Sequence, residues 1–384
     1  MREIYLDNSA TTAVLPEVAE IVQRTMLTDY GNPSALHTKG VEAEKYIREA
    51  RAAIAGTMRV RENEIFFTSG GSESNNWAIT GYATRGRRGS RLITTAMEHP
   101  AVSEVMKALE KEGFEVVRIG TDSCGRLDME ALTEALTEDV CLVSTMYVNN
   151  EIGAVTPVAE IGKLVHERCP NAAFHVDAIQ AYGKYRIFPR QMGIDMLSVS
   201  GHKIHGPKGT GFLYVRSGLL IKPLIYGGGQ QNGMRSGTEN VPGVAGLGVA
   251  AKAAYTDFDA KIEHLYSLRE RLISGLSAME GVVIHGMPGR EGAPHIVNAA
   301  FPGVGSEVLQ HTLEDRGIYI SAGSACSSHK RSASPTLTAI AAPREELTSS
   351  VRFSFCEFNT AEEVDETLKA LSEVLPMLRR YRRH

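Results

Sequence analysis

Two charged side chains and one thiol have the settings that covalent and acid–base chemistry needs. Lys203 lies in "SGHKIHGPKG" (200–209), a glycine-rich loop after a strand-like run, with His202, His205 and Lys208 around it. A lysine amine becomes a good nucleophile when nearby cations or a dry pocket lower its pKa. A solvated surface lysine remains the alternative for this stretch alone. The two histidines have no third ligand nearby, so we expect no metal site.

Asp177 ends the apolar run of "FHVDAIQ" (174–180). An aspartate in such a place costs free energy unless it is paired. It could cap a helix or form a structural salt bridge, or it could be the partner of a bound cation. Because Asp177 and Lys203 each end a strand of the inferred sheet, we expect both side chains to reach one crevice.

The thiol is Cys326, which lies in "YISAGSACSSHKRSASP" (319–335), a run of serine, alanine and glycine. Free cysteine usually packs as a small buried hydrophobe, so a thiol in a polar loop is either an accident or a nucleophile. The charges of His329, Lys330 and Arg331 could help to hold a thiolate. The other four cysteines lie in a turn, a strand, a helix end and a strand end: Cys124, Cys141, Cys169 and Cys356.

Two glycine-rich segments could bind phosphate. In "TSGGSESNN" (68–76) a strand is followed by Gly-Gly-Ser and a helix, whose first backbone N–H groups form an anion site. The segment "YGGGQQNGMRSGTEN" (226–240) is either a flexible connector or a second source of donors. A reactive lysine, a buried acid and a phosphate site are together what pyridoxal phosphate (PLP) requires. The lysine forms its Schiff base, and the acid keeps the ring nitrogen protonated.

Alternating strands and helices must position these residues. Strand-like apolar runs lie at 64–69, 91–96, 114–119, 140–148, 172–177, 195–200 and 211–215. Helical patterns lie at 72–85, 100–111, 128–136 and 157–168. This alternation predicts an α/β domain with a mainly parallel sheet. After residue 241 the pattern becomes α+β. We expect a large domain at 14–245 and a small domain formed by 1–13 with 246–384, which carries the cysteine loop at about 322–348.

The composition of the chain limits the classes of partner that we expect for it. The 384 residues are 43% hydrophobic and 22% charged, with a net charge of −4. Nothing in this balance indicates a nucleic-acid or membrane partner. The N-terminus has no apolar signal region, and the five cysteines include no C-x-x-C pair. We therefore expect a cytoplasmic protein.

Ten segments, in order along nearly the whole chain, resemble the NifS/IscS-like cysteine desulfurases of the class V aminotransferase family. They are "YLDNSATT" (5–12), "GNPSALH" (31–37), "TSGGSESNN" (68–76), "EHPAV" (98–102), "VNNEIG" (148–153), "HVDAIQ" (175–180), "SGHKIHGPKG" (200–209), "MRSGTEN" (234–240), "GSACSS" (323–328) and "SSVRFS" (349–354). The resemblance implies the PLP-dependent fold type I, with a seven-stranded, mainly parallel sheet in the large domain and a smaller α+β domain.

The resemblance also implies residue roles. Lys203 binds PLP, Asp177 pairs with the ring nitrogen, and His99 stacks on the ring and moves protons. The remaining cofactor contacts are Gln180 at the ring hydroxyl, Asn150, the phosphate ligands Gly71, Ser72, Ser200 and His202, and Thr238 from the other subunit of a homodimer. The substrate carboxylate is held by Arg352 and Asn32, with Asn150 nearby. Alone, His99 would be a packed surface histidine and Arg352 an ordinary salt-bridge residue.

The implied activity converts L-cysteine to L-alanine and leaves a persulfide on Cys326. The sulfur then passes to an acceptor protein, either an iron–sulfur scaffold or a tRNA-thiolation enzyme. A selenocysteine lyase or cysteine-sulfinate desulfinase of the same fold is the alternative. A plain aminotransferase would not use Cys326, and the full set of site residues argues against a non-catalytic scaffold. One local departure follows "RFSF", where the family tends to continue with Gly-Arg and this chain has Cys356-Glu357.

Overall fold

The computed structural model describes residues 3–86, 89–322 and 334–381. Within these ranges the strands are β1 (Ile4–Tyr5), β2 (Ile65–Thr68), β3 (Arg91–Thr95), β4 (Glu115–Ile119), β5 (Val140–Met146), β6 (Ala173–Asp177), β7 (Met196–Ser200), β8 (Gly211–Val215), β9 (Val283–His285), β10 (Ile296–Ala300), β11 (Ile318–Tyr319), β12 (Ser321–Ala322) and β13 (Ser350–Ser354).

The α-helices of the same ranges are α1 (Pro16–Leu27), α2 (Thr38–Met58), α3 (Gly71–Ala83), α4 (Pro100–Lys111), α5 (Met129–Ala135), α6 (Val158–Arg168), α7 (Val241–Tyr255), α8 (Phe258–Ser277), α9 (Ser306–Glu314), α10 (Pro335–Ala339), α11 (Arg344–Ser349) and α12 (Ala361–Tyr381). Of the helices in the described ranges, none combines the length and the apolar character needed to span a bilayer.

The central sheet has seven strands in the order β2-β8-β7-β6-β5-β3-β4. The five strands from β7 to β4 pair in parallel, whereas β8 runs antiparallel to both of its neighbours. All residues of β5, β6, β7 and β8 are buried, as expected for strands covered by helices on both faces. The predicted α/β fold with a mainly parallel sheet is confirmed, and each of the seven strand-like runs forms a strand of this sheet.

A second, antiparallel sheet has the order β12-β13-β10-β9, and β1 pairs in parallel with β11. Its core includes residues from both ends of the chain, such as Ile4 and Leu6 with Leu371. The division of the chain at 245/246 stays a prediction. That position falls inside α7, where Val244 and Leu247 belong to the core of the large sheet.

The two helices near the N-terminus, α1 and α2, were not predicted from the sequence. In α2 the buried residues Ala43, Ile47, Ala50 and Ile54 recur every three or four positions, so a helical signal was present. After residue 241 the chain forms two successive helices, α7 and α8, which are separate because Asp257 adopts a left-handed backbone with φ of 51° and so interrupts the hydrogen-bond ladder.

Candidate functional site

The polar residues that the sequence places at strand ends meet at one edge of the central sheet. Asp177 is the last residue of β6, and Ser200 is the last residue of β7. A short 3₁₀ turn, Gly201–Lys203, follows β7. The connection after β3 leads to His99, which caps the N-terminus of α4. The chain order reverses between β3 and β5, and the crevice outside such a reversal is where open α/β sheets bind ligands.

The Lys203 amine rests on the N-terminal segment. Its Nζ donates to the carbonyl of Ser9 at 2.5 Å and to that of Ala10 at 2.8 Å. The side-chain amide of Gln180 donates to the same Ser9 carbonyl at 3.0 Å. The N–H of Thr12 donates to the carbonyl of His202 at 3.0 Å. Residues 9–12 therefore form a strap along the turn that carries the lysine.

Asp177 is buried at the end of β6, beside Met146 of β5 in strand register. Its Oδ2 accepts from the Asn75 side chain at 2.7 Å, and its Oδ1 accepts from the N–H of Ile179 at 3.0 Å. Burial raises the pKa of Asp177, while the Ile179 N–H, the Asn75 side chain and the charge of Lys203 oppose that rise. A positive charge placed against this carboxyl group would favour its ionised form.

His99 faces the same region. Its Nδ1 accepts from the N–H of Ala101 at 3.1 Å, so in the neutral ring the hydrogen is on Nε2. Burial lowers the pKa of His99, and the Lys203 charge lowers it further, whereas Asp177 raises it. The structure thus presents a neutral imidazole next to the buried carboxyl group.

Glu98 is a buried residue that the sequence analysis missed. Its Oε1 accepts from the Thr95 hydroxyl at 2.7 Å and from the N–H of Met146 at 2.8 Å. Its Oε2 has no partner among the described residues. Burial raises the pKa of Glu98 to about 8, and the charge of Asp177 contributes to the rise. The position of Glu98 directly before His99 in "EHPAV" was the available signal, but no local pattern predicts burial there.

An open cleft of about 460 Å³ lies at the N-terminus of α3. Its lining includes Thr11, Gly70, Gly71, Ser72, Ser200, His202 and Lys208. A Cβ atom at Gly71 would lie 2.1 Å from Ile179 Cδ1, so the Ile179 side chain would have to move to admit it. Burial and the neighbouring lysines lower the pKa of His202 to about 4, so this ring is neutral. Free N–H groups of the first helical turn, hydroxyls and a lysine suit an anion such as phosphate.

Thr238 is not part of this cleft within the described residues. It is exposed in the loop that follows Arg235, and Arg235 itself pairs with Glu73 at 2.9 Å beside the helix start. Its predicted contact with a neighbouring subunit stays a prediction.

A second cationic group belongs to the antiparallel sheet. Arg352 on β13 is only 10% exposed; its Nη2 lies 2.8 Å from Asp7 Oδ1, and its Nη1 donates to the carbonyl of Asn150 at 2.8 Å. Its Nε has no partner in the described part of the chain. Asp7, within "YLDNSATT", is the orienting residue that the sequence analysis missed. Asn32 is exposed and accepts from the Ser34 N–H at 3.0 Å, and in the ranges described it shares no hydrogen bond with Arg352.

Cys326, with His329, Lys330 and Arg331, lies outside the described residues. The described residues continue from Ser334, which caps α10 and whose hydroxyl donates to Glu151 Oε2 at 2.5 Å. The segment "PTLTAIAA" (335–342) begins with the short helix α10. Among the described cysteines, Cys124 is half-buried and Cys141, Cys169 and Cys356 are buried. Burial raises the pKa of Cys141 to about 11, which makes it a poor nucleophile.

Comparison with known proteins agrees with this architecture. The family model described as aminotransferase class-V matches residues 4–367. A cysteine desulfurase IscS from Methanosarcina thermophila is 41% identical over 379 residues, covering 98% of this chain and 93% of that protein. A cysteine desulfurase from Nostoc sp. is 42% identical over 380 residues, covering 99% and 94%.

Solved structures give the same result. A NifS-like protein superposes with a TM-score of 0.92 at 38% identity, covering 98% of this chain and all of that one. The apo structure of a cysteine desulfurase from Thermococcus onnurineus NA1 superposes with a TM-score of 0.89 at 26% identity, covering 98% and 95%. The chain therefore belongs to the class V aminotransferase family, within its NifS/IscS-like cysteine desulfurase group.

Proposed function

We propose that this protein is a PLP-dependent cysteine desulfurase, which converts L-cysteine to L-alanine and holds the released sulfur as a persulfide on Cys326. The observation that carries the proposal is the meeting of the Lys203 turn, the buried Asp177 and the anion cleft at one edge of the sheet. Relatives named cysteine desulfurase, and a solved neighbour described as SspA in complex with cysteine, support the choice of substrate.

The residues present fit PLP. Asp177 is a buried carboxyl group whose two oxygens accept only from neutral N–H groups, so the protonated ring nitrogen would supply the missing positive charge. The start of α3 borders the cleft at Gly70, Gly71 and Ser72, where a phosphate would meet the N–H groups of the first helical turn. In this proposal Lys203 attaches the cofactor, His99 and Gln180 contact its ring, Asn150 lies on the same side, and the phosphate is held by Gly71, Ser72, Ser200 and His202. When bound, PLP supplies an electron sink for the charge left at the substrate α-carbon.

The chain's own groups carry out the remaining work. Arg352, oriented by Asp7, binds the substrate carboxylate together with Asn32 and Asn150. Lys203, once released, takes the α-proton, and the carbonyls of Ser9 and Ala10 stabilise the resulting ammonium group. The Cys326 thiolate then attacks the substrate sulfur. A sulfur–sulfur bond forms as the substrate carbon–sulfur bond breaks, and the substrate carbon takes up a proton to give alanine.

The proposed assembly is a homodimer in the cytoplasm, with Thr238 completing the phosphate site of the neighbouring subunit. An apolar groove that shares Lys208 with the cleft supports a partner there, because Met26 and Leu27 line it and are 60% and 69% exposed. The sulfur acceptor is a protein, either an iron–sulfur scaffold or a tRNA-thiolation enzyme.

Two substitutions test the function. We expect Lys203→Ala to abolish alanine formation and the visible absorption of the bound cofactor, because no other residue replaces the lysine. We expect Cys326→Ser to keep that absorption but to form no protein persulfide, as read by mass spectrometry. The controls are Lys163→Ala, an exposed helical lysine, and Cys124→Ser. Normal alanine formation by Lys203→Ala, or a wild-type persulfide mapped to Cys124 or Cys356, would show the assignment to be wrong.

A further inference from the structure

The turn that carries Lys203 continues into His205, a buried residue with a left-handed backbone at φ of 61°. A non-glycine residue in this conformation must be held by its surroundings. Its N–H donates to the Thr12 hydroxyl at 2.8 Å, and its carbonyl accepts from the N–H of Leu15 at 3.2 Å. His205 therefore joins the lysine turn to the same N-terminal strap on which the Lys203 amine rests.

The contacts of the His205 ring determine its charge. Nδ1 lies 2.8 Å from the carbonyl of Ala13, so this nitrogen must carry a hydrogen. Nε2 lies 3.4 Å from Glu357 Oε2, an ion-pair contact rather than an aligned hydrogen bond, and is also close to Cys356. A lone pair on Nε2 would face a carboxylate, so a hydrogen is favoured there as well. With both nitrogens protonated, the ring is a buried cation.

Glu357 is held in its charged form from two sides. It lies between His205 and Lys261 of α8, whose Nζ is 3.2 Å from Oε1. Burial alone would raise the pKa of Glu357, but the contact with His205 and the charge of Lys184 hold it well below its usual range. Burial alone would lower the pKa of His205, but its contacts with Cys356 and Glu357 raise it to about 9. The titratable groups that act on the His205 ring are thus Cys356 and Glu357, with Lys261 and Lys184 acting on Glu357.

We propose that His205 and Glu357 are positioning residues for Lys203. Their buried ion pair ties the end of the 201–205 turn to the segment that follows β13, while the contacts of His205 with Thr12 and Ala13 hold the same turn to the N-terminal segment. Together these contacts fix where the lysine amine lies over the carbonyls of Ser9 and Ala10. Neither residue touches substrate or cofactor in this proposal. It rests on the proposed function of Lys203, and it adds a charge pair between the lysine turn and the region of β13 and α8.

The test uses the PLP-loaded protein and the substitution Glu357→Gln, which removes the charge but keeps the shape. We expect PLP to dissociate about tenfold faster and kcat to fall about tenfold, since a misplaced catalytic group reduces rate steeply. KM for L-cysteine should stay within about twofold, because the Arg352 site is not altered. Glu357→Asp, which restores the charge, should recover part of the loss. The control is Asp365→Asn, which breaks an exposed ion pair with Arg271.

A pH series separates positioning from general stability. His205 loses its proton as pH rises through about 9, so wild-type PLP retention should weaken from about pH 8 to about pH 10 more than in His205→Gln. Release of PLP on dialysis and the thermal unfolding midpoint are both measured, so that a variant that folds poorly is recognised.

Three outcomes would overturn the inference. The first is a Glu357→Gln protein with the PLP dissociation rate and kcat of the control. The second is a variant whose unfolding midpoint falls while both of these stay unchanged, which indicates a purely structural pair. The third is an equal pH dependence of PLP retention in the wild type and in His205→Gln. If no variant folds, a wild type whose PLP retention does not weaken near pH 9 would likewise overturn the inference. Failure of the proposed function is distinguishable, because Lys203→Ala would then keep the cofactor absorption.

Discussion

The two ends of the candidate site differ in burial and in the kind of group that each can bind. The closed end, formed by Asp177, Glu98 and His99, lies at the tips of the sheet strands, where burial shifts all three pKa values. The open end, the cleft at Gly70–Ser72 and Lys208, borders solvent and offers N–H groups and hydroxyls. Control of protonation requires a low dielectric, whereas an anion can be held by backbone dipoles at the surface.

This difference predicts where substitutions act. At the closed end a single charge change should alter the chemistry with little change in shape. At the open end the backbone supplies the donors, so only a change that closes the cleft or moves the helix start should matter. The three predictions below test this contrast, from the largest expected effect on activity to the smallest.

Asp177→Asn should reduce kcat by at least about 100-fold, because an amide cannot hold a positive charge on the ring nitrogen. The volume is nearly unchanged and Asn75 can still contact the side chain, so the protein should remain folded. Alanine formation and the cofactor absorption spectrum are the measurements, with the exposed Asp259→Asn as control. A variant that retains half of the wild-type kcat would show that the charge at the closed end does not control the reaction rate.

Gly71→Ala should weaken PLP affinity about tenfold and destabilise the protein by about 1–3 kcal/mol, since the new Cβ overlaps Ile179. Fluorescence titration of PLP and chemical unfolding are the measurements. Gly56→Ala is the matched control, because a Cβ there meets no atom within 4 Å inside helix α2 and should stabilise slightly. Equal PLP affinity in the two variants would mean that the open end tolerates the added methyl group.

Glu98→Gln should change activity least at neutral pH, where the native carboxyl group is already protonated. Its main effect should be on how the free energy of unfolding depends on pH. Between the ordinary pKa of 4.5 and the native value of about 8, the unfolded chain loses the Glu98 proton first. The wild type therefore loses stability as pH rises through this window, by up to about 1.4 kcal/mol per pH unit.

The Gln variant lacks this contribution, so its free energy of unfolding should depend less on pH across the window. The measurement is chemical unfolding at several pH values, with the exposed Glu104→Gln as control. Parallel curves for wild type and Glu98→Gln would contradict a buried, neutral Glu98.

Local patterns in the sequence predicted the parts of the molecule that local patterns control. Apolar runs located all seven strands of the central sheet, and the residues that end them located Asp177 and the Lys203 turn. The contacts that complete the site join distant segments, as in Arg352 with Asp7 and Lys203 with Ser9. Neither periodicity nor spacing in the sequence predicts contacts between segments that are so far apart along the chain. Glu98 and the pair of His205 with Glu357 escaped prediction for the same reason, because burial depends on the whole fold.

The strap at residues 9–12 has a consequence for synthesis of the protein. Beside its contacts with the lysine turn, the N-terminal region pairs Ile4 with Ile318 in β11, and the N–H of Ser9 donates to the Ser354 hydroxyl at 2.8 Å. These partners leave the ribosome after most of the chain has been made. The nascent chain can form its central sheet earlier, whereas these contacts of the N-terminal region require loop closure over more than 300 residues. The N-terminal region therefore completes its contacts with Ile318 and Ser354 only when synthesis of the chain is nearly finished.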